Sequence, residues 1–269
     1  MTDLDARIRV LEQWLRDLAP VKVAVSGGLD SLTLALLAGR ALGRDAIMFH
    51  AHSAAVPAAA GARLRALAAA EGWDLRLVDA GEMADPAYLD NPYRRCFHCK
   101  SHLYGALTGA PPGTLLAGTN LDDLADFRPG LEAAAQFGVR HPFVECGIDK
   151  GTIRQICAHL GHGDLADLAA SPCLASRVET GLRIAPDLLA FIDRVETSLR
   201  RDLGLTLVRC RVRAQAIAIQ LHPDELAGLP APLRGAWAGQ VRALGAPLGL
   251  PGEVLFEPYR MGSSFVPHD

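Results

Sequence analysis

The sequence predicts an α/β fold with a doubly wound parallel sheet, followed by a smaller C-terminal α+β domain. Three observations predict it. An apolar run at 22–25 ends in Ser26-Gly27-Gly28 and leads into a helical pattern at 32–42. Apolar runs then alternate with helical stretches as far as Leu160. From about Ile184 the pattern changes to one long helix followed by residues of period two.

The elements follow in order. Leu4, Ile8, Leu11, Trp14, Leu15 and Leu18 share one helical face and are interrupted by Asp3, Asp5, Arg7, Arg9 and Glu12. That is a surface helix and not a secretory leader. The strand at 22–25 feeds the glycine turn. A second strand at 46–51 is covered by an alanine-rich helix at 58–71, and further strands are expected at 75–78 and 114–117. A fifth is expected at 141–144. Segment 85–95 holds Pro86 and Pro92 and reads as a long loop that continues into Cys96-Phe97-His98-Cys99. Long loops inside α/β domains tend to carry function. A helix is expected at 152–160, then a loop at 165–180 around Ser171-Pro172-Cys173. A helix at 187–203 leads into a hairpin at 207–213 and 216–221. A helical turn at 224–229 is stopped by Pro230. The domain boundary is placed near residue 180, giving 1–180 as a nucleotide domain and 181–269 as a substrate-binding or oligomerisation domain.

Half of the 269 residues are hydrophobic (50%), 21% are charged, and the formal net charge is −3. This is ordinary globular composition. It argues against bulk attraction to nucleic acid or to an anionic membrane. No segment approaches the ~18 apolar residues of a membrane span. A cytoplasmic protein without a membrane partner is expected. Six cysteines are too few for a disulfide scaffold in a chain of this length. A reducing compartment then favours metal or catalytic roles for any that cluster.

Ser26-Gly27-Gly28-Leu29-Asp30-Ser31, between a strand and a helix, is an anion site in form. Glycines let backbone N–H groups approach phosphate, and the helix N-terminus adds a favourable dipole. Ser26 and Ser31 can donate hydroxyl hydrogen bonds. A Mg²⁺ ion between Asp30 and a polyphosphate would explain a carboxylate there. No Gly-Lys-Ser/Thr follows, and the dinucleotide glycine spacing is absent. A plain glycine turn capped by serine is the alternative. The hexapeptide resembles the PP-loop ATP pyrophosphatases, which cleave ATP between its α- and β-phosphates. Gly118-Thr119-Asn120-Leu121-Asp122-Asp123 follows the fourth expected strand, so it would face the first loop at the carboxyl edge of the sheet. Taken alone, it is also an ordinary polar turn.

Cys96 and Cys99 form a Cys-x-x-Cys pair, and Cys173 stands in a second loop. Together the three could hold a [4Fe–4S] cube with one iron open. Zinc with an open fourth position and a redox disulfide are the competing readings. Cys146, Cys157 and Cys210 are isolated and read as small buried hydrophobes.

Nearly the whole chain resembles the LarE-type pyridinium-3,5-bisthiocarboxylate mononucleotide synthases, a branch of the PP-loop enzymes. The resemblance lies in 25–31, in 91–100 with its Cys-x-x-Cys, and in 118–130 with Asp126-Phe127-Arg128-Pro129-Gly130. It extends to Pro172-Cys173-Leu174-Ala175-Ser176-Arg177, to Arg211-Val212-Arg213 and to Tyr259-Arg260-Met261-Gly262-Ser263. It implies an ATP-dependent sulfurtransferase in nickel-pincer nucleotide synthesis: a carboxylate is adenylated, pyrophosphate leaves, and sulfur then displaces AMP. ATP would contact Ser26, Gly27, Gly28, Asp30, Ser31, Ser53, Gly118, Asn120 and Asp123, with Mg²⁺ on Asp30. Arg177, Arg211 and Arg213 would take the substrate phosphate beside Ser176, and Glu196 would orient one of these groups. The sulfur would come from a sulfide on a cluster held by Cys96, Cys99 and Cys173, the branch favoured by all three cysteines, or from Cys173 itself. The expected partners are a small nucleotide substrate and a sulfide or sulfur donor, with a homo-oligomer of the chain as a further expectation. The polar residues of the family pattern after Arg213 are replaced by Ala214-Gln215-Ala216-Ile217. Other readings are tRNA thiolation, disfavoured by the acidic balance, amide formation as in NAD or GMP synthase, and an ATP-binding regulatory module. The last two leave the three cysteines unexplained.

Overall fold

The computed structural model describes residues 2–109, 111–125, 128–168 and 172–260. Ser171, Asp126, Phe127 and the Met261-Gly262-Ser263 part of the late motif lie outside the described residues. The chain divides into two compact units: Met1–Glu82 with Cys96–Pro172, and Met83–Arg95 with Cys173–Asp269.

The first unit is a parallel sheet of β1 (Val21–Ala24), β2 (Ala46–Ala51), β3 (Asp74–Val78) and β4 (Thr114–Ala117). The order is β3-β2-β1-β4. The alternation in β1 explains why both faces are covered. Val21, Val23 and the following Val25 enter one apolar core with Leu11, Leu15, Leu32 and Leu36. Ala24 enters the other, with Phe49, Leu107 and Leu115. Lys22 shares that second face, and its buried ammonium donates to the Leu107 carbonyl at 2.7 Å. The N-terminal helix Asp3–Leu18 is amphipathic as expected and buries Ile8, Leu11 and Leu15.

Two expectations for this unit are corrected. The fifth strand at 141–144 is absent. Arg140 makes a single parallel bridge to Leu116, and Pro142–Glu145 is a helical turn. Pro142 has no N–H for a ladder but suits the first helical position. The Cys-x-x-Cys segment is no loop either: Arg95–Thr108 is a helix. The prolines that suggested a loop lie before its start and leave its interior free.

The second unit holds β5 (Val208–Val212), β6 (Ile217–Leu221) and β7 (Val254–Pro258) in the order β5-β6-β7. The expected hairpin is present as antiparallel β5 and β6. β7 pairs with β6 in parallel, after the helix Ala231–Gly245. That helix and β7 were not read from the sequence. Pro232, Gly235, Gly239 and Gly245 lower the helical signal, and burial of Trp237 and Val241 on one face compensates. Segment 85–95 contains one helical turn, Pro86–Leu89, capped by Asp85. Buried Asn91 then donates from Nδ2 to the Glu179 carbonyl at 2.8 Å, which ties this segment into the second unit.

Candidate functional site

From β1 the chain runs to β2 and β3 on one side, and β4 lies on the other side of β1. The strand order therefore reverses between β1 and β4. In open α/β sheets that crevice, at the carboxyl ends of the strands, is where ligands bind. The loop 26–31 follows β1, and the loop 118–123 follows β4.

The first loop is internally braced. Ser31 Oγ donates to the Gly28 carbonyl at 3.0 Å, and it accepts from the Ser26 N–H at 3.1 Å. The two serine hydroxyls are 3.0 Å apart. Gly27 has φ +85°, a conformation that L side chains rarely adopt. A Cβ at Gly27 would also stand 3.0 Å from the Ala60 carbonyl oxygen. The helix Leu29–Leu42 begins after Gly28, which offers no side-chain cap, so the first N–H groups are open to an anionic group. Ser53 lies beyond the end of β2, where its Oγ accepts from the Ala55 N–H at 3.1 Å.

The second loop lies directly on the first. A Cβ on Gly118 would come within 2.9 Å of the Asp30 carbonyl carbon and the Ser31 nitrogen. Glycine at this position lets the two backbones touch. Asn120 is buried; its Oδ1 accepts from the Asp122 N–H at 3.0 Å, and its own N–H donates to Asp123 at 3.1 Å. Asp123 also pairs with Arg128 at 2.7 Å.

Asp30 is held by Lys150, whose Nζ lies 2.6 and 2.7 Å from the two carboxylate oxygens. Burial pushes the Asp30 carboxyl above its ordinary range, and the hydrogen bond and charge of Lys150 oppose that shift. Lys150 was missed by sequence reasoning, which began the helix at residue 152 and left the lysine outside it. It occupies the first position of the helix Lys150–His159, where the helix dipole disfavours a cation.

In the second unit, Cys173 is exposed and precedes the tight helical turn Leu174–Arg177. Buried Arg177 donates to both oxygens of buried Glu196, at 2.9 and 3.1 Å, and also to Ser176 Oγ and the Cys173 carbonyl. Glu196 further accepts from Arg200 at 2.7 Å and from the Cys210 N–H at 3.0 Å. Burial works against its carboxylate, but the charge of Arg177 holds its pKa below the ordinary value. Arg211 donates to Gln220 and to the Ser176 carbonyl, both at 2.8 Å. Burial, helped by the nearby charge of Arg177, lowers the Arg211 pKa to about 10. Arg213 pairs with Glu257. A cavity of about 250 Å³ is lined by Arg213, Gln220, Glu257, Pro258 and Arg260.

Arg209 is a further member that sequence reasoning missed. It is buried, and its guanidinium lies 5.9 Å from the centre of the Tyr259 ring. The signal was the alternation Arg209, Arg211, Arg213, which places two arginines on one side of β5 and the third just past its end.

Cys96 and Cys99 are partly exposed and stand three residues apart on one helix, so they share a face. Among the described residues no group of three His, Cys, Asp or Glu side chains is placed to hold a metal ion. Cys157 and Cys210 are buried, as isolated cysteines were expected to be, while Cys146 is only half-buried. No described helix is long and apolar enough to cross a membrane.

The reversed strand order, with two touching loops at the reversal, gives a doubly wound α/β fold consistent with a PP-loop-like domain. An uncharacterized protein of Synechocystis sp. is 36% identical over 227 residues, covering 83% of this chain and 84% of that one. The chain belongs to the same family as that protein. The pyridinium-3,5-bisthiocarboxylic acid mononucleotide synthase of Lactiplantibacillus plantarum is similar at 28% identity over 226 residues, 82% of this chain and 81% of the synthase. An uncharacterized protein of Methanocaldococcus jannaschii is 29% identical over 140 residues, 51% of this chain and 54% of that protein. No protein-family model matches the chain.

Proposed function

We propose that the chain is an ATP-dependent sulfurtransferase acting on a carboxylate of a pyridinium mononucleotide, in nickel-pincer nucleotide synthesis. The observation that carries this reading is the contact of Gly118 with Asp30 and Ser31, which puts two polar loops at the strand-order reversal. The similarity to the Lactiplantibacillus synthase supports the choice of substrate class.

The proposed chemistry uses groups already described. ATP lies with its phosphates over the open N–H groups of the helix Leu29–Leu42, and the Ser26 and Ser31 hydroxyls are donors beside them. A substrate carboxylate oxygen attacks the α-phosphorus. The bond from that phosphorus to the α,β-bridging oxygen breaks, and its electron pair leaves with pyrophosphate. The product is an acyl-adenylate, an electrophile that the carboxylate alone is not. Hydrosulfide then adds to the acyl carbon and AMP leaves, giving the thiocarboxylate and a proton. Mg²⁺ asks for only one or two carboxylates beside the phosphates, and partly exposed Asp30 suits that demand; the ion would supply charge neutralisation. Arg211 and Arg213 are proposed to serve the substrate phosphate.

The sulfur is assigned to the three cysteines named above. The proposed carrier is a [4Fe–4S] cluster on Cys96, Cys99 and Cys173, three residues that the described structure does not bring together as a ligand set. Iron and acid-labile sulfide in anaerobically purified protein test that part. Iron-free protein whose Cys173 loses the mass of H₂S on turnover would assign the transferred sulfur to Cys173 itself.

The reading as a whole is tested by incubating the purified chain with ATP, Mg²⁺ and a pyridinium dicarboxylate mononucleotide. Pyrophosphate and AMP should appear in step with thiocarboxylate. Release of ADP and phosphate, or pyrophosphate formation driven equally well by tRNA or by ammonia, would sink it.

A further inference from the structure

One peptide of the glycine loop is not fixed from within the loop. Ser31 Oγ holds the Ser26 N–H on one side of it and the Gly28 carbonyl on the other. Between them lies the Gly27–Gly28 peptide. Both torsions that turn its plane belong to glycines, so the plane can turn over at little steric cost. Its N–H, on Gly28, has a contact of 3.4 Å with Ser26 Oγ, longer than an ordinary hydrogen bond.

The restraint comes from outside the loop. Arg63, half-buried on the helix Ala58–Glu71, donates from Nη1 to the Gly27 carbonyl at 3.2 Å. Among the described residues that carbonyl accepts from no other group. Nor does Arg63 have a carboxylate partner among them, so an ion pair does not explain its place. A trans peptide points its C=O and N–H in opposite directions. With the carbonyl held toward Arg63, the Gly28 N–H is turned the other way. It stands next in the chain to the open N–H groups that begin the helix Leu29–Leu42. In this setting Gly28 has φ −86° and ψ 161°, which any L residue adopts. Turning the plane over would carry that φ about half a turn, into the positive region that favours glycine.

We propose that Arg63 is a positioning residue of the nucleotide site: it holds the Gly27–Gly28 peptide in the orientation that lets the Gly28 N–H donate to a phosphate oxygen of ATP. The proposal rests on the ATP reading above. A backbone donor aimed in advance stabilises phosphate charge without reorganising when the ligand arrives. A plane free to turn over presents its carbonyl to the phosphates in part of the population, and that oxygen repels them. The arginine acts through the peptide and needs no contact with the nucleotide.

The test is a double-mutant cycle on the full chain, read by equilibrium binding of α,β-methylene-ATP. Arg63→Met should weaken the analogue by about 10-fold, the effect of one hydrogen bond to a charged group. Gly28→Ala keeps the N–H and blocks the turned-over plane, because alanine disfavours positive φ. Its Cβ would meet Ser26 Oγ at 3.6 Å, an ordinary contact. In the Gly28→Ala background, Arg63→Met should therefore weaken the analogue by less than about twofold. An equal loss in both backgrounds would overturn the proposal and leave an arginine that touches the phosphates itself or only braces the loop. No loss in the unsubstituted background would overturn it as well. If Gly28→Ala alone abolishes binding, a crystal structure of Arg63→Met decides: a turned Gly27 carbonyl supports the proposal and an unmoved one overturns it. If Arg63→Met does not fold by circular dichroism, Arg63→Leu takes its place, and failure of both to fold would assign the arginine to the fold and overturn the proposal. If the unsubstituted chain does not bind the analogue, the ATP reading itself fails.

Discussion

Asp30 and Glu196 each hold a basic side chain, in opposite surroundings. Asp30 faces Lys150 at a loop, with a quarter of its side chain exposed (25%), whereas the Glu196 side chain is 2% exposed. Glu196 accepts from Arg177, Arg200 and the Cys210 N–H, so both of its oxygens are engaged. A carboxylate so enclosed has nothing to trade with a ligand. It fixes the turn Leu174–Arg177 to β5 and so sets the position of Cys173 and Ser176. Asp30 is reachable and can exchange Lys150 for a bound divalent cation. The difference separates a pair that positions from a pair that reacts to ligand.

The comparison breaks most visibly at Glu196. Glu196→Ala leaves Arg177 buried without its carboxylate, and losing one partner of a buried pair costs about 3–5 kcal/mol. Urea unfolding followed by circular dichroism should show a loss of that size. A variant as stable as the parent would mean that water reaches Arg177 and that the pair is no lock.

A smaller effect is expected where the two nucleotide loops meet. Gly118→Ala puts a methyl group 2.9 Å from the backbone of Asp30 and Ser31, a contact that only backbone movement can relieve. Overpacking of this kind costs about 1–3 kcal/mol. Pyrophosphate release should fall further than stability does, because the movement displaces the loop that would hold the phosphates. Unchanged turnover would show that the loops do not act together.

How far the sequence disclosed these features follows from the range of each signal. β1, β2 and β4 were readable because mostly buried parallel strands are short, largely apolar runs between turns. The glycine loop was readable because its function resides in contiguous residues. Lys150 was not, since its partner lies 120 residues away in sequence. The same holds for Arg177 and Glu196: neither residue signals alone that the other satisfies it. The Cys-x-x-Cys helix was read as a loop because Pro86, Pro92 and the charged run Arg94-Arg95 mask a helix whose start they only precede. The helix Ala231–Gly245 was hidden by its own glycines, and tertiary burial of Trp237 overrides that propensity.

The smallest stability effect belongs to Asp30, and it is the sharpest form of the comparison. Asp30→Asn keeps the shape of the side chain and one acceptor for Lys150 while removing the charge. Two opposing consequences follow. The Lys150 ammonium loses its counter-charge, which destabilises. Burial also pushes the Asp30 carboxyl up, so ionising it in the folded chain carries a cost that asparagine does not have. Both side chains retain access to water, and exposed pairs contribute about 0–1 kcal/mol, so the net change should stay within about 1 kcal/mol in either direction. Pyrophosphate release should nevertheless be lost, because the variant lacks the charge that would hold a divalent cation. Unfolding curves and a coupled pyrophosphate assay on the same preparation check both halves. A destabilisation as large as that of Glu196→Ala would place Asp30 in the same class as Glu196. Retained pyrophosphate release would remove Asp30 from the chemistry altogether.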